Sequence, residues 1–151
     1  MLEFLKKLLG TSNESQLKKL RKTVDAVNAL GDVRDPHTGE WLAGAQRGGM
    51  PLDTTEYLLS GGLNQCRPGT NTTIGVVATN AKLSKEQVNR LALCAHDGFA
   101  RTIFPSHTLY DGDTVFGLST LFGGETDFLT LCTAAAETMA RAVANAVTRR
   151  G

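Results

Sequence analysis

Eight residues, Thr72–Thr79 (TTIGVVAT), carry no charge and are all β-branched or small. Such a run reads as a strand buried in a sheet. The residues after it restrict the fold further. Ser84 and Gln87 stand in the S-x-x-Q relation of a capping box, which marks a helix N-terminus. Behind it Val88, Leu91, Ala95 and Phe99 share one helical face, and the helix is expected to end near Ile103, ahead of Pro105. A loop, His107–Asp113, leads to a second strand, Thr114–Thr120 (TVFGLST). Gly123 and Gly124 turn the chain, and Asp127 caps an alanine-rich helix over Phe128–Thr148, with the basic pair Arg149 and Arg150 at the negative end of its dipole. Strand, helix, strand, helix suits a parallel α/β unit or an α+β layer, and the order alone does not choose between them.

The preceding residues divide in two. Over residues 1–30, Leu2, Leu5 and Leu9 share one face, and Leu17, Leu20, Val24 and Val27 recur at helical spacing. Gly10 interrupts the pattern, and Thr11, Ser12 and Asn13 offer caps for a restart. Residues 31–71 are loop-rich: Asp35-Pro36-His37-Thr38-Gly39-Glu40 has turn chemistry, QRGGMP and Ser60–Gly62 are further breaks, and Thr54–Leu59 suits a short helical turn. The expected organisation is a helical segment over 1–30, a loop-rich segment over 31–71, and a strand-helix-strand-helix unit over 72–151.

Composition removes several classes of function. Sixteen Lys and Arg against fifteen Asp and Glu leave a net charge of +1, without the basic excess that displaces counterions from nucleic acid. Apolar runs stay far below the ~20 residues that span a bilayer. Up to Lys22 there are six basic and two acidic residues, a local +4. A membrane-surface helix is one reading of it; a helix packed on the body of the protein is the preferred one, so no membrane partner is expected. Cys66, Cys94 and Cys132 are odd in number and far apart, which disfavours a structural zinc site and suits reduced thiols in a cytoplasmic protein. Lys6 and Lys7 break the apolar stretch of MLEFLKKLLG, so it lacks the continuous core of a signal peptide. No phosphate-binding glycine loop is present, and neither a cofactor nor a metal is expected.

Two clusters carry chemistry. Gly69-Thr70-Asn71-Thr72-Thr73 is a polar turn that runs straight into the first strand. It is either a plain turn ahead of good β-formers or a nucleophilic hydroxyl on a strand's first residue. His107-Thr108-Leu109-Tyr110-Asp111-Gly112-Asp113-Thr114 sets two carboxylates around a glycine before the second strand. It is either an Asp-Gly turn or a pair that orients a nucleophile; the remaining oxygen ligands of a calcium loop are missing.

Taken jointly, NTTIGVVATN (71–80), AHDG (95–98), PSHT (105–108) and DGDTVF (111–116) resemble one family, as do VNALGDV (27–33) and the Asp35-Pro36-x-Thr38-Gly39-x-x-Leu42-Ala43-Gly44-Ala45 segment upstream. It is the self-processing aminopeptidase family of D-aminopeptidases, β-peptidyl aminopeptidases and nylon-oligomer hydrolases. The resemblance covers roughly Val24 to Val147 and implies an α+β chain, part of an αββα layered N-terminal-nucleophile hydrolase fold, here with an added helical N-terminus. It implies self-cleavage between Asn71 and Thr72, leaving Thr72 with both the nucleophilic hydroxyl and a free α-amine. That amine titrates near 7.7–8.0 when unperturbed and so serves as a base near neutral pH. Asp111 and Asp113 match orienting or acid/base positions, and Asn28 matches an asparagine that holds the oxyanion. A short peptide or amide substrate and a homo-oligomer are implied with them.

The match departs from the family upstream. Only 27 residues precede Asn28, and Lys22 and Tyr57 do not match the family's catalytic Lys or Tyr by motif. LKKLLGTSNESQLKKLRKTVDAVNAL is instead similar to the start of the bacterial preprotein translocase motor ATPase. The alternative is therefore a catalytically inactive truncated or chimeric domain that acts as an interaction module.

Overall fold

A computed structural model describes residues 26–62 and 71–148. Their elements run β1 (Ala26–Asn28), β2 (Asp32–Arg34), β3 (Trp41–Ala43), β4 (Gln46–Arg47), β5 (Met50–Pro51), α1 (Thr54–Leu59), β6 (Thr72–Thr79), α2 (Lys85–Ala100), β7 (Ile103–Phe104), β8 (Thr114–Ser119) and α3 (Phe128–Thr148). Helices and strands are mixed, an α+β arrangement. Readings made for residues 1–25, Cys66, Gly69, Thr70, Arg149 and Arg150 lie outside the described residues.

β6 is the centre of the main sheet, in the order β1-β6-β8. It runs parallel to β8 from Ile74 opposite Thr114 to Thr79 opposite Ser119, and antiparallel to β1. The two strands expected from their patterning are thus neighbours in one sheet, and α2 is the crossover that a parallel pair requires. Both long helices lie on one face of it. Along β6 the alternate residues Thr73, Gly75, Val77 and Thr79 are buried. A Cβ on Gly75 would lie 2.8 Å from Met139 Cε of α3 and 3.0 Å from Phe99 Cζ of α2. On β8 a Cβ on Gly117 would lie 2.7 Å from the Val88 carbonyl of α2. Small residues on the strands are what let the helices approach this closely.

Leu91, Ala95 and Phe99 are buried on α2, and Leu131, Ala135, Met139 and Val143 on α3. The spacing is that of an apolar helical face turned to a core. Helix starts follow local chemistry. Ser84 accepts from the Gln87 N–H at 3.3 Å while the Gln87 side chain accepts from the Ser84 N–H at 2.9 Å. Asp127 accepts from the Thr130 N–H at 2.8 Å.

Three expectations need correction. The helical period read through Val24 and Val27 gives way to a strand at Ala26–Asn28, because the free edge of β6 takes these residues as its ladder partner, and pairing outweighs a weak local period. The α2 helix stops at Ala100 rather than near Ile103, since Ile103–Phe104 pairs with β2. The loop-rich segment has the short helix read at Thr54–Leu59 but carries short strands as well, and it is anchored by a fully buried carboxylate. Asp32 accepts from the Thr54 N–H and the Thr54 hydroxyl, both at 2.8 Å, and so ties β2 to the start of α1. No helix among the described residues is long and apolar enough to cross a membrane.

Candidate active site

The Asn71–Thr72 step sits where the β6/β8 ladder begins. An isolated parallel bridge joins Asn71 to Asp111, extending that pairing beyond the strands, and it brings the polar turn and the Asp-Gly-Asp loop into one place. The Asn71 carbonyl there receives two donors. The Thr72 hydroxyl donates to it at 2.6 Å, and the Gly112 N–H donates at 2.9 Å. A Cβ on Gly112 would lie 3.1 Å from Thr72 Oγ1, so the absence of a side chain leaves room for the hydroxyl.

Each carboxylate of the loop is held by several donors. Asp111 Oδ2 accepts from the Thr108 N–H at 3.0 Å and the Thr108 hydroxyl at 2.7 Å. Its Oδ1 accepts from the Leu30 N–H at 3.2 Å, which ties the loop to the chain just after β1. Asp113 Oδ1 accepts from the Thr73 N–H at 2.9 Å. Its Oδ2 lies 2.7 Å from His107 Nδ1 and accepts from the His107 N–H at 3.3 Å. The Asp113 side chain is only 5% exposed, so its oxygens find their partners within the protein rather than in water.

Asn28 enters through the backbone: it is the residue directly opposite Thr72 in the antiparallel β1/β6 register. The site residues named from the sequence, Asn28, Asn71, Thr72, Asp111 and Asp113, therefore meet at one end of the main sheet. The Thr72 hydroxyl is engaged with the Asn71 carbonyl, and Asp113 engages the next amide along, that of Thr73.

Sequence reasoning missed two participants. The Gly112 N–H has no side-chain signal, although an Asp-Gly-Asp turn already brings a backbone donor beside two carboxylates. His107 stands in the motif, but nothing in residue order gives it a role. Its ring meets those of His96 (centroids 5.0 Å apart) and Phe99 (6.2 Å). Burial, together with the neighbouring His107, holds His96 below the ordinary histidine range. Among the described residues no group of three His, Cys, Asp or Glu is placed to hold a metal ion.

Known proteins have sequences similar to part of this chain. The chain is 48% identical over 102 residues to an uncharacterized aminopeptidase of Mycobacterium bovis, covering 62% of this chain and 29% of that protein. It is 45% identical over 103 residues to an uncharacterized aminopeptidase of Mycobacterium leprae, covering 64% and 28%. Over 50 residues it is 42% identical to the 6-aminohexanoate-oligomer endohydrolase of Paenarthrobacter ureafaciens, covering 33% and 14%. The chain thus spans less than a third of the length of the curated relatives it matches. The family resemblance seen in the motifs holds at the level of a whole-family model, which matches residues 9–150 with the Asn71–Thr72 step and both aspartates inside it: the chain belongs to peptidase family S58.

Proposed function

We propose that this chain is the nucleophile-bearing part of a peptide or amide hydrolase that cleaves itself between Asn71 and Thr72. The observation that carries the reading is the Asn71 carbonyl, which accepts both the Thr72 hydroxyl and the Gly112 N–H. The hydroxyl lies beside the carbonyl it would attack, and an amide donor faces the oxygen on which negative charge would develop.

In the proposed reaction Thr72 Oγ1 adds to the Asn71 carbonyl carbon, and the hydroxyl proton passes to a carboxylate of the Asp111/Asp113 pair. The Gly112 N–H, with Asn28, stabilises the oxyanion. The Asn71–Thr72 C–N bond then breaks, the Thr72 nitrogen takes up the proton, and an ester joins Asn71 to the Thr72 oxygen. Water hydrolyses that ester, leaving an Asn71 carboxylate and a free Thr72 with hydroxyl and α-amine. That amine would then act as base for the same hydroxyl against a short peptide or amide oligomer. The boundary at Thr72 would thereby divide a loop-rich upstream segment from the strand-helix-strand-helix unit.

The far face of the main sheet supports the layered fold. Ile74 on β6 and Phe116 and Leu118 on β8 are 41%, 57% and 50% exposed, an apolar surface that a second sheet of an αββα sandwich would cover. A homo-oligomer is proposed on the same ground. Cys94 and Cys132 are free thiols, which suits a reducing compartment such as the cytoplasm.

The test is intact mass of the purified chain over days, beside Thr72→Ala. Release of a Thr72–Gly151 fragment from wild type alone is expected. A wild-type chain whose mass stays as constant as that of Thr72→Ala would refute the reading and favour a non-catalytic interaction domain.

A further inference from the structure

His107 combines a left-handed backbone with a double contact to one carboxylate oxygen. Its backbone is left-handed, with φ of 54°, a region that side chains other than glycine seldom occupy and that Asn, Asp and His tolerate best. Both its ring and its own amide address one oxygen, Asp113 Oδ2, at 2.7 and 3.3 Å. The left-handed turn lets a single residue bring both its ring nitrogen and its amide N–H to the same carboxylate oxygen. The carboxylate they hold is almost fully buried, and its other oxygen, Oδ1, accepts from the Thr73 N–H at 2.9 Å. His96 on α2 and Phe99 stack edge-on or tilted against the His107 ring, so helix α2 sets its orientation.

We propose that His107 is the positioning residue of this site: through Asp113 it clamps the amide of Thr73 and so fixes the backbone that carries Thr72. The proposal deepens the self-cleavage reading and rests on it for its catalytic consequence. His107 itself has no step in that reaction; Asp113, which it holds, belongs to the carboxylate pair that takes the proton. His107 touches neither the Asn71 carbonyl nor the Thr72 hydroxyl among the contacts described. Its contribution is to keep the nucleophile's strand from shifting, and displacements of about 1 Å cost such sites on the order of a hundredfold in rate.

Two variants separate this role from bulk and strain. His107→Asn places an amide donor close to where Nδ1 stands and tolerates a left-handed backbone. His107→Gly keeps the backbone without strain but removes the ring donor. Two readouts are taken on wild type and both variants, at temperatures where thermal melts show each to be folded. The first is amide exchange and proton shift of Thr73 in 15N-labelled chain, which needs no catalytic activity. The second is the rate of Thr72–Gly151 release.

Thr73 is expected to exchange about tenfold faster or more in His107→Gly, with its amide proton moving upfield, and to remain near wild type in His107→Asn. Cleavage is expected to follow the same order, slowed about tenfold or more in His107→Gly and rescued in His107→Asn. A Thr73 amide indifferent to all three side chains would overturn the proposal. So would equal slowing of cleavage in both variants, since that pattern denotes a steric role of the ring. A wild-type chain that never cleaves overturns the self-cleavage reading alone, and the Thr73 amide then decides whether His107 holds the strand.

Discussion

Gly98→Ala sets two physical effects against each other at one atom. Gly98 lies inside α2, where glycine costs about 1 kcal/mol relative to alanine, so local propensity favours the substitution. Packing opposes it. The new Cβ would stand 2.6 Å from Met139 Cβ, 2.7 Å from the Ala136 carbonyl oxygen and 2.7 Å from the Ala140 nitrogen, all on α3. Carbon contacts are comfortable at about 3.5–4.0 Å, so the deficit is about 1 Å. Two of the three atoms are backbone, so no rotamer change relieves the contact and the helices must separate. Separation opens gaps along the buried seam of Ala95, Phe99, Ala135, Met139 and Val143, and a gap of 0.5–1 Å forfeits about a quarter to a half of each contact's dispersion. Overpacking of this kind costs about 3 kcal/mol at the upper end of the usual range. Less the propensity gain of about 1 kcal/mol, the net is about 2 kcal/mol of destabilisation. In a domain of this size that is a fall in Tm of about 4–8 °C. Urea denaturation followed by circular dichroism reads it as a lowered midpoint at unchanged slope. Gly124→Ala is the control, because a Cβ there meets nothing within 4 Å. A Gly98→Ala chain as stable as wild type, or more so, would refute the packing argument and show that α2 and α3 do not approach as closely as described.

Gly112→Ala tests the candidate site at its narrowest point. The Cβ would crowd Thr72 Oγ1 at 3.1 Å, so Thr72–Gly151 release should slow by about tenfold or more with little loss of stability, read by intact mass and thermal melts; unchanged cleavage would show that the hydroxyl does not need that space. The Cys132 thiol is pushed up to about 11, first by burial and then by the adjacent Cys94. Its thiolate fraction at pH 8 is therefore about one in a thousand. Alkylation of Cys132 by iodoacetamide, followed by peptide mass spectrometry, should rise about tenfold per pH unit from pH 8 toward 10 in the folded chain, and a rate already level by pH 9 would contradict it. Asp32→Ala should destabilise the chain by about 2–3 kcal/mol, because the Thr54 N–H and hydroxyl lose the buried carboxylate they share; a melt within a degree of wild type would show that water replaces it.

Local chemistry made much of this protein legible from residues alone. The uncharged run Thr72–Thr79 is a strand over those eight residues, and Phe128–Thr148 is a helix over its full expected length. The Ser84/Gln87 box and the Asp127 cap form as their spacing requires. Each of these signals is complete within a few residues, so no distant partner is needed to read it. The motif residues could also be named, because a turn, an Asp-Gly-Asp loop and their order are written along the chain.

Other features exist only through contact between segments far apart in sequence. Ala26–Asn28 follows a helical period yet is a strand, because the open edge of β6 offers it backbone hydrogen bonds that a weak amphipathic pattern cannot match. Whether β6 and β8 run parallel was undecidable from strand order and depends on α2 crossing over one face. The meeting of Thr73 with Asp113, 40 residues apart, follows from that parallel pairing, and that of Leu30 with Asp111, 81 residues apart, from it together with the antiparallel β1/β6 ladder. The pairing also turned a bare glycine amide into a donor on the Asn71 carbonyl and gave His107 its carboxylate partner. Backbone donors and the direction of a side chain leave no trace in residue order; they are set when the sheet closes and the helices press on its inner face.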